Sequence, residues 1–384
     1  MLRTTWFPCK IPLRRYIFTS RHHGIPEPNG GKTMDQLCEL STRVPGETGT
    51  AAVDASLKFL QPVSRQLVHR AAVAEVFITD ALQVGKDRFL VGAQWPRDHA
   101  LYYPDAQGMC DPLLLTETVR QALVYLAHEY CGIPLGHRFV GSDTHFEITD
   151  HEALVVGDTP LHVTLDVQWS WVANRPPRRF GMQVDAVVSV AGRECARAGL
   201  SVYAVDEGLY RRLRWRGAEG QERDEAARVG HSAATRLPAA DVGRLRAKDS
   251  VLGRTEAGEW RLLVDLHHAV LFDHPGDHIP LMVTLEGARQ LGYRLLHRHH
   301  DAGAVLRAVR MDCPAFADLE EPVRLCAQLQ PPVIASGVTG LCIRAVQGED
   351  TVATVTMEWL PRGLPAASEE ATFSRDAVGS GVAV

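Results

Sequence analysis

Lysine is nearly missing from this chain: it supplies five of the 41 basic residues, at 10, 32, 58, 86 and 248, and Arg supplies the rest. With abundant Ala and Val, this bias points to a GC-rich bacterial genome and says nothing of chemistry. No apolar run approaches the roughly 18 residues that span a bilayer as a helix, so no membrane partner is expected. The eight cysteines form no CxxC and no Cys/His cluster of zinc-ligand spacing. They read as reduced thiols of a cytoplasmic protein. P-loop, GxGxxG and GxSxG motifs are also lacking, and no metal and no cofactor is expected. Excess positive charge is missing too. The net charge of −5 argues against a general nucleic-acid or acidic-membrane binder.

What is present is an ordinary globular balance. A chain that is 45% apolar and 23% charged is neither wholly disordered nor fibrous. Its 384 residues suffice for about two or three domains with ample core. The first 33 residues differ from the rest. They carry Arg3, Lys10, Arg14, Arg15, Arg21 and Lys32 against one acid, Glu27. Such a start resembles a transit peptide, but Pro8, Pro12, Pro26 and Pro28 spoil a long amphipathic helix. The preferred reading is a poorly ordered basic extension over 1–61, dispensable at least as far as Met34, the expected true initiator.

The informative feature is an internal repeat. His99-Ala-Leu-Tyr-Tyr103 matches His268-Ala-Val-Leu-Phe272, and Glu117-x-x-Arg120-Gln121 matches Glu286-x-x-Arg289-Gln290, both at an offset of 169 residues. Two ungapped matches at one offset divide the chain into units at 62–206 and 243–361. A charged linker at 207–242 joins them, and a loose tail follows at 362–384. In the first unit a strand at 89–95 precedes a helix opened by Asp111 as N-cap and Pro112 at the first helical position. Apolar residues nearly all round that helix make it a buried central one. Strands follow at 138–149, 161–172, 180–190 and 194–205, with period-two alternation clearest after Leu161. The second unit repeats this order: a strand at 260–264, a helix at 281–300, and strands at 304–312, 321–330, 338–346 and 351–360. The expected class is α+β: two tandem hotdog units, each a long central helix wrapped by an antiparallel sheet, joined as a pseudo-dimer.

On each central helix, Glu117, Arg120 and Gln121, and likewise Glu286, Arg289 and Gln290, share one face. Charges on a buried helix must be paired or must face a cavity. A structural salt bridge and a catalytic face are both open readings of the spacing. Ahead of the second helix lies Phe272-Asp-His-Pro-Gly-Asp-His-Ile-Pro280, which sets His274, Asp277 and His278 close to Glu286. An imidazole and a carboxylate there suit acid–base work, and the helix N-terminus suits an oxyanion. A plain Pro-Gly turn accounts for Pro275 and Gly276 but not for both histidines. The run Tyr210-Arg-Arg-Leu-Arg-Trp-Arg216 is either a solvated linker or a dock for an acidic carrier protein or a phosphopantetheine phosphate. His297, His299 and His300 suit a helix C-terminus.

Val68-His-Arg-Ala-Ala-Val-Ala-Glu-Val-Phe, Gly92-Ala-Gln-Trp-Pro-Arg97, the Asp111–Gln121 segment, Pro134-Leu-Gly-His137, the Leu271–Pro280 loop and Leu285-Glu-Gly-Ala-Arg-Gln290 together resemble the A-factor biosynthesis family of γ-butyrolactone synthases over about 65–360. The second loop also resembles, distantly, the HxPG loop of hotdog dehydratases, with a shorter His-to-Glu spacing. The family resemblance implies an acyltransferase that moves a β-ketoacyl chain from acyl-carrier protein to the hydroxyl of dihydroxyacetone phosphate. That step leads to a butenolide precursor of a signalling lactone. On this reading Glu117 and Glu286 accept the hydroxyl proton and Arg120 and Arg289 meet the phosphate. Gln121 and Gln290 hold a carbonyl in one shared cavity, with His274, Asp277, His278 and Asp111 binding substrate. An apolar tunnel along the helix takes the acyl chain, and the pattern leaves room for a homo-oligomer. The competing readings are a hotdog thioesterase or dehydratase and a non-enzymatic acyl-binding regulator.

Overall fold

The computed structural model describes residues 57–215, 233–296, 303–330 and 337–362. Its first half runs β1 (Ile78–Gly85), β2 (Arg88–Trp95), α1 (Leu113–Glu129), β3 (Arg138–Ile148), β4 (Leu161–Trp171), β5 (Arg179–Val190) and β6 (Arg193–Val205), followed by the short α2 (Glu207–Arg214). The second runs β7 (Ala234–Arg236), β8 (Leu252–Thr255), β9 (Trp260–Leu262), α3 (Leu281–Leu296), β10 (Ala304–Asp312), β11 (Val323–Leu329), β12 (Thr339–Gln347) and β13 (Asp350–Pro361).

These strands form one sheet in the order β1-β2-β4-β5-β6-β3-β10-β13-β12-β11-β9-β8-β7. Read outwards from the β3–β10 junction, the order is a mirror: β3 answers β10, β6 answers β13, β5 answers β12, β4 answers β11, β2 answers β9 and β1 answers β8. The junction is antiparallel and centred on His145↔Arg310. The repeat therefore folds as two hotdog units that share a continuous sheet.

Each helix is buried because its side chains are apolar on almost every face. Leu113, Leu114, Leu115, Leu123 and Leu126 of α1 and Leu285, Ala288 and Leu291 of α3 are all 0–1% exposed. The Asp111 carboxylate caps α1 by accepting from the Leu113 N–H at 2.9 Å. In α3, closeness to the sheet depends on glycine: a Cβ at Gly287 would lie 2.4 Å from Leu262.

Several expected boundaries shift. Residues 57–61, assigned to the extension, pack on the first half: Phe59 stacks on His162 at 4.4 Å, and the Lys58 N–H donates to Asp80. The expected linker holds α2, β7 and a 3-10 turn at Ala239–Val242. The α2 helix was legible in one signal, the Asp206 cap that accepts from the Leu209 N–H at 2.6 Å. Strand β1 escapes an alternation test because register shifts interrupt it at Ile78/Asp80 and Gln83/Gly85. Residues 1–56, the helix end expected at 297–300 with its three histidines, and 363–384 lie outside the described residues. Among those described, no helix is long and apolar enough to cross a membrane, six cysteines are free thiols, and no group of three or more His, Cys, Asp or Glu could hold a metal ion.

Candidate functional site

The two helix faces build the same buried cluster twice. In the first half Glu117, fully buried, accepts from Arg120 Nε at 3.0 Å and Nη2 at 2.8 Å, from Arg70 Nε at 3.0 Å, and from Gln121 at 2.7 Å. In the second, Glu286 accepts from Arg244 at 2.7 and 2.5 Å, from Arg289 at 3.0 and 3.1 Å, and from Gln290 at 2.5 Å. Gln121 closes on the Phe77 N–H and the Glu75 carbonyl. Gln290 closes on the Val251 N–H and the Asp249 carbonyl. The helix arginines donate in turn to the carbonyls of Val68 and Val242.

These bonds decide what the cluster can do. Burial alone would raise both carboxyls. Arg120 and Arg70 instead hold Glu117 far below the usual carboxylate range, and Arg244 and Arg289 hold Glu286 down at about 2. Glu286 accepts on both oxygens from two arginines and a glutamine, whereas Glu117 takes most of its donors on Oε1 and only Arg120 Nε on Oε2. In this structure Glu117 holds Arg70 and Arg120, and Glu286 holds Arg244 and Arg289. Gln121 and Gln290 are wholly buried, with oxygen and nitrogen both hydrogen-bonded within the cluster. What remains for a ligand is the Nη1 atom of Arg120 and of Arg289, for which the described residues supply no partner.

The repeated histidines are turn caps. His99 Nδ1 accepts from the Leu101 and Tyr102 N–H groups at 3.1 and 3.0 Å, and His268 Nδ1 from Val270 and Leu271 at 3.3 and 3.1 Å. The opposite nitrogens face Glu75 at 3.4 Å and Asp249 at 3.2 Å.

The clusters differ in what the other half brings to them. Over the first lies the second-half loop: the Asp273 carboxylate accepts from the Ala71 and Ala72 N–H groups at 2.6 and 3.0 Å. It also places His274, whose ring nitrogen is 3.5 Å away and whose side chain is 56% exposed, at the surface beside the cluster. Burial lowers the His274 imidazole, and Arg70 and Arg120 act in the same direction, while Asp273 opposes them. His69 and His128 complete this first half-site. Against the second cluster lies the first-half segment 103–112. Arg244 Nη1 donates there to Asp111 and to the Leu101 carbonyl, both at 2.7 Å. A cavity of about 500 Å³ opens beside it, lined by Met109, Cys110, Val305, Leu306 and Trp359, with Arg289 and Tyr293 on its helix side.

Arg244 joins the second cluster to Asp111 and the Leu101 carbonyl of the first half, and buried Tyr102 is within electrostatic reach of both clusters, its hydroxyl raised by burial and by both Glu117 and Glu286. Asp277 and His278 do not join either cluster. His278 Nδ1 lies 2.7 Å from Asp277, which also accepts from the Tyr210 hydroxyl at 2.6 Å. Arg214 donates to the Asp277 carbonyl at 2.7 Å and to Asp318 at 2.5 Å. The basic run is therefore half clamp, half surface, with Tyr210 and Arg214 turned in and Arg211 and Arg212 exposed. Residues that the spacing missed are Arg70, Arg244, His69 and His128. The signal for two of them was present: Val68-His69-Arg70 answers Val242-Gly243-Arg244 at an offset of 174 residues. A five-residue difference from the helix offset concealed it.

A single-chain pseudo-dimer of hotdog units, with half-sites made where one unit's loop meets the other's helix, is the class this architecture defines. The family model described as the A-factor biosynthesis hotdog domain matches residues 51–206 and 226–362, and the chain belongs to that family. A 2-oxo-3-(phosphooxy)propyl 3-oxoalkanoate synthase of Streptomyces virginiae is 36% identical over 274 residues, 70% of this chain and 88% of that protein. One of the same name from Streptomyces griseus is 32% identical over 309 residues, 79% and 97% of the two chains. Among solved structures, a 12:0-ACP thioesterase from Umbellularia californica aligns with a TM-score of 0.40 at 9% identity, covering 73% of this chain and 100% of that one.

Proposed function

We propose that this protein is an acyltransferase that moves a β-ketoacyl chain from acyl-carrier protein onto the hydroxyl of dihydroxyacetone phosphate, a step towards a γ-butyrolactone-type signalling molecule. The observation that carries the reading is the relation to synthases of that name, at 36% identity over 88% of the Streptomyces virginiae protein. The site chemistry supports it. At the first half-site Arg120 Nη1, pinned by Glu117 and flanked by Arg70, suits a phosphate oxygen. His274 at the surface beside the cluster suits the acceptor or the thioester carbonyl. With both Glu side chains locked, proton transfer falls to an imidazole of that half-site. At the second half-site the largely apolar cavity has the size to take an alkyl chain, with Arg289 Nη1 at its helix side for a carbonyl oxygen. Exposed Arg211 and Arg212 offer an acidic carrier protein a surface to meet. Two tandem units at 62–206 and 243–361, with 226–242 serving the second, complete the proposal.

The test is incubation with a β-ketoacyl thioester, with and without dihydroxyacetone phosphate, read by mass spectrometry. A phosphorylated ester or butenolide that needs the acceptor is expected. Free acid formed regardless of acceptor means a thioesterase, and unchanged thioester held tightly means a binding protein. Either result overturns the reading.

A further inference from the structure

One backbone bend occurs twice and is filled differently. The 3-10 turns at Arg65–Val68 and Ala239–Val242 each end on a left-handed residue, and the next residue in each case is the arginine that grips the cluster carboxylate. In the second half the left-handed residue is Gly243, at φ 67° and ψ 39°. Glycine takes that conformation freely, and Tyr293 fills the side-chain space, 2.9 Å from where a Cβ would stand. In the first half it is His69, at φ 53° and ψ 54°. Residues with a Cβ are uncommon there, histidine less so than most, and His69 shares this conformation with only Ala173 and Ala191 among the described non-glycine residues.

The His69 ring is also fixed. Its Nε2 lies 2.9 Å from His128 Nε2, and His128 Nδ1 lies 2.7 Å from the Ile133 carbonyl oxygen. A carbonyl only accepts, so in neutral rings His128 carries its proton on Nδ1 and accepts from His69 Nε2–H. The lone pair of His69 is then on Nδ1, for which the described residues offer no partner. Phe139 packs edge-on to both rings at 5.1 and 5.3 Å. Burial, followed by His128, Arg120 and His274, lowers the His69 imidazole to about 3, so the ring is neutral in the empty site.

We infer that His69 is the proton-accepting residue of the first half-site, held in its left-handed bend and oriented by His128 for that purpose. The inference rests on the acyl-transfer reading. Nδ1 takes the acceptor's hydroxyl proton as that oxygen bonds to the thioester carbonyl carbon. The tetrahedral intermediate collapses, the C–S bond breaks, and the proton passes from His69 to the departing thiolate. Ester and carrier thiol leave, and nothing is oxidised or reduced. A substrate phosphate on Arg120 Nη1 brings negative charge near the ring and raises its basicity from the low value of the empty site. The second half-site, with Gly243 at this position, has no equivalent group and binds without proton transfer.

The comparison of halves supplies the test. His69→Gly gives the first half the residue the second half uses, and His69→Asn gives one that tolerates the bend; neither shuttles a proton. Both are expected to melt at or above the wild-type temperature, yet turn over at least about 100-fold more slowly, with the KM for dihydroxyacetone phosphate changed less than about threefold. Added imidazole should restore part of the His69→Gly rate. Turnover within about threefold of wild type in folded His69→Gly, or a raised KM at unchanged kcat, overturns the inference. So does a lowered melting temperature in both variants with full activity per folded molecule. Wild-type enzyme that makes no phosphorylated ester overturns the acyl-transfer reading itself, a different result from wild-type and His69→Gly making it equally well.

Discussion

Arg244 reaches from the second half to Asp111 of the first, 2.7 Å from Nη1 to the carboxylate oxygen, while its other two nitrogens hold Glu286. The guanidinium is 1% exposed and Asp111 is the α1 cap, so one side chain ties the pseudo-dimer, the second cluster and the start of the first helix together. Replacing it leaves two buried carboxylates short of a partner. Arg244→Met should cost about 3–5 kcal/mol of unfolding free energy. Arg244→Lys should recover little of it, because an ammonium cannot span three acceptors in one plane. Urea denaturation measures both, and a loss under about 1 kcal/mol for Arg244→Met would show that the tie is not structural.

Acid should loosen the same cluster in a defined window. The folded-state pKa of Glu286 is depressed from 4.5 to about 2. Its contribution to stability is therefore complete above the unfolded value and disappears as pH falls through the folded one. Glu286→Gln should be markedly less stable than wild type at pH 7, and the gap should narrow between about pH 4.5 and 2. Urea midpoints at pH 7 and pH 3 test this. A gap of the same size at both pH values would mean that the ionised carboxylate is not what the arginines bind.

Glu117→Gln should act in the same manner, chiefly on stability. Measured per folded molecule, its kcat should fall less than that of His69→Gly, because the carboxylate holds Arg120 in place and takes no proton itself. If Glu117→Gln folds fully and loses as much rate as His69→Gly, the carboxylate belongs in the proton path after all.

Much of this was legible in the sequence, for physical reasons. Alternation with period two fixed β4 and β5 because their faces differ, one against the helix and one outward. An Asp-Pro opening and an all-round apolar run fixed α1. The duplicated Glu-x-x-Arg-Gln marked the cluster correctly because three residues on one helix face must meet. Their partners were not legible. Arg70 and Arg244 arrive from segments 47 and 42 residues away, and no local spacing announces that a third charge will close on a carboxylate. Without that third charge Glu117 and Glu286 resemble bases. With it we propose that they anchor the arginines and that the base is His69, whose only local mark is a turn that its counterpart builds with glycine.

The proposed docking of a carrier protein on α2 separates binding from chemistry. On α2, Tyr210 and Arg214 face inward and clamp the 277–278 loop, while the Arg211 and Arg212 side chains point to solvent. Arg211 pairs with Glu207 at 3.0 Å on that exposed face, an interaction worth little to stability. Arg212→Glu should raise the KM for the carrier-bound thioester several-fold at low salt, with a smaller effect as ionic strength screens the contact. It should leave kcat, and the KM for a short pantetheine thioester, unchanged. Equal effects on both donors would place Arg212 outside carrier recognition.

The cavity at the second half-site can be narrowed from the sheet side, opposite Arg289. Ala304 lies on its wall at the start of β10, among Val305, Leu306 and Trp359, and its own side chain is one carbon. A phenylalanine there projects into a volume of about 500 Å³, so the added ring has room and the sheet needs no adjustment; stability should change by less than about 1 kcal/mol. If the cavity houses the alkyl part of the donor, Ala304→Phe should discriminate by chain length. Long-chain β-ketoacyl thioesters should lose kcat/KM by about 10-fold or more, consistent with about 0.8 kcal/mol per displaced methylene. Short-chain donors should be nearly unaffected, and so should the KM for dihydroxyacetone phosphate. The readout is a series of donors of increasing chain length assayed against wild type and variant in parallel. A uniform loss across the series would point to a distorted half-site rather than a blocked chain, and no loss at any length would take the acyl group out of this cavity.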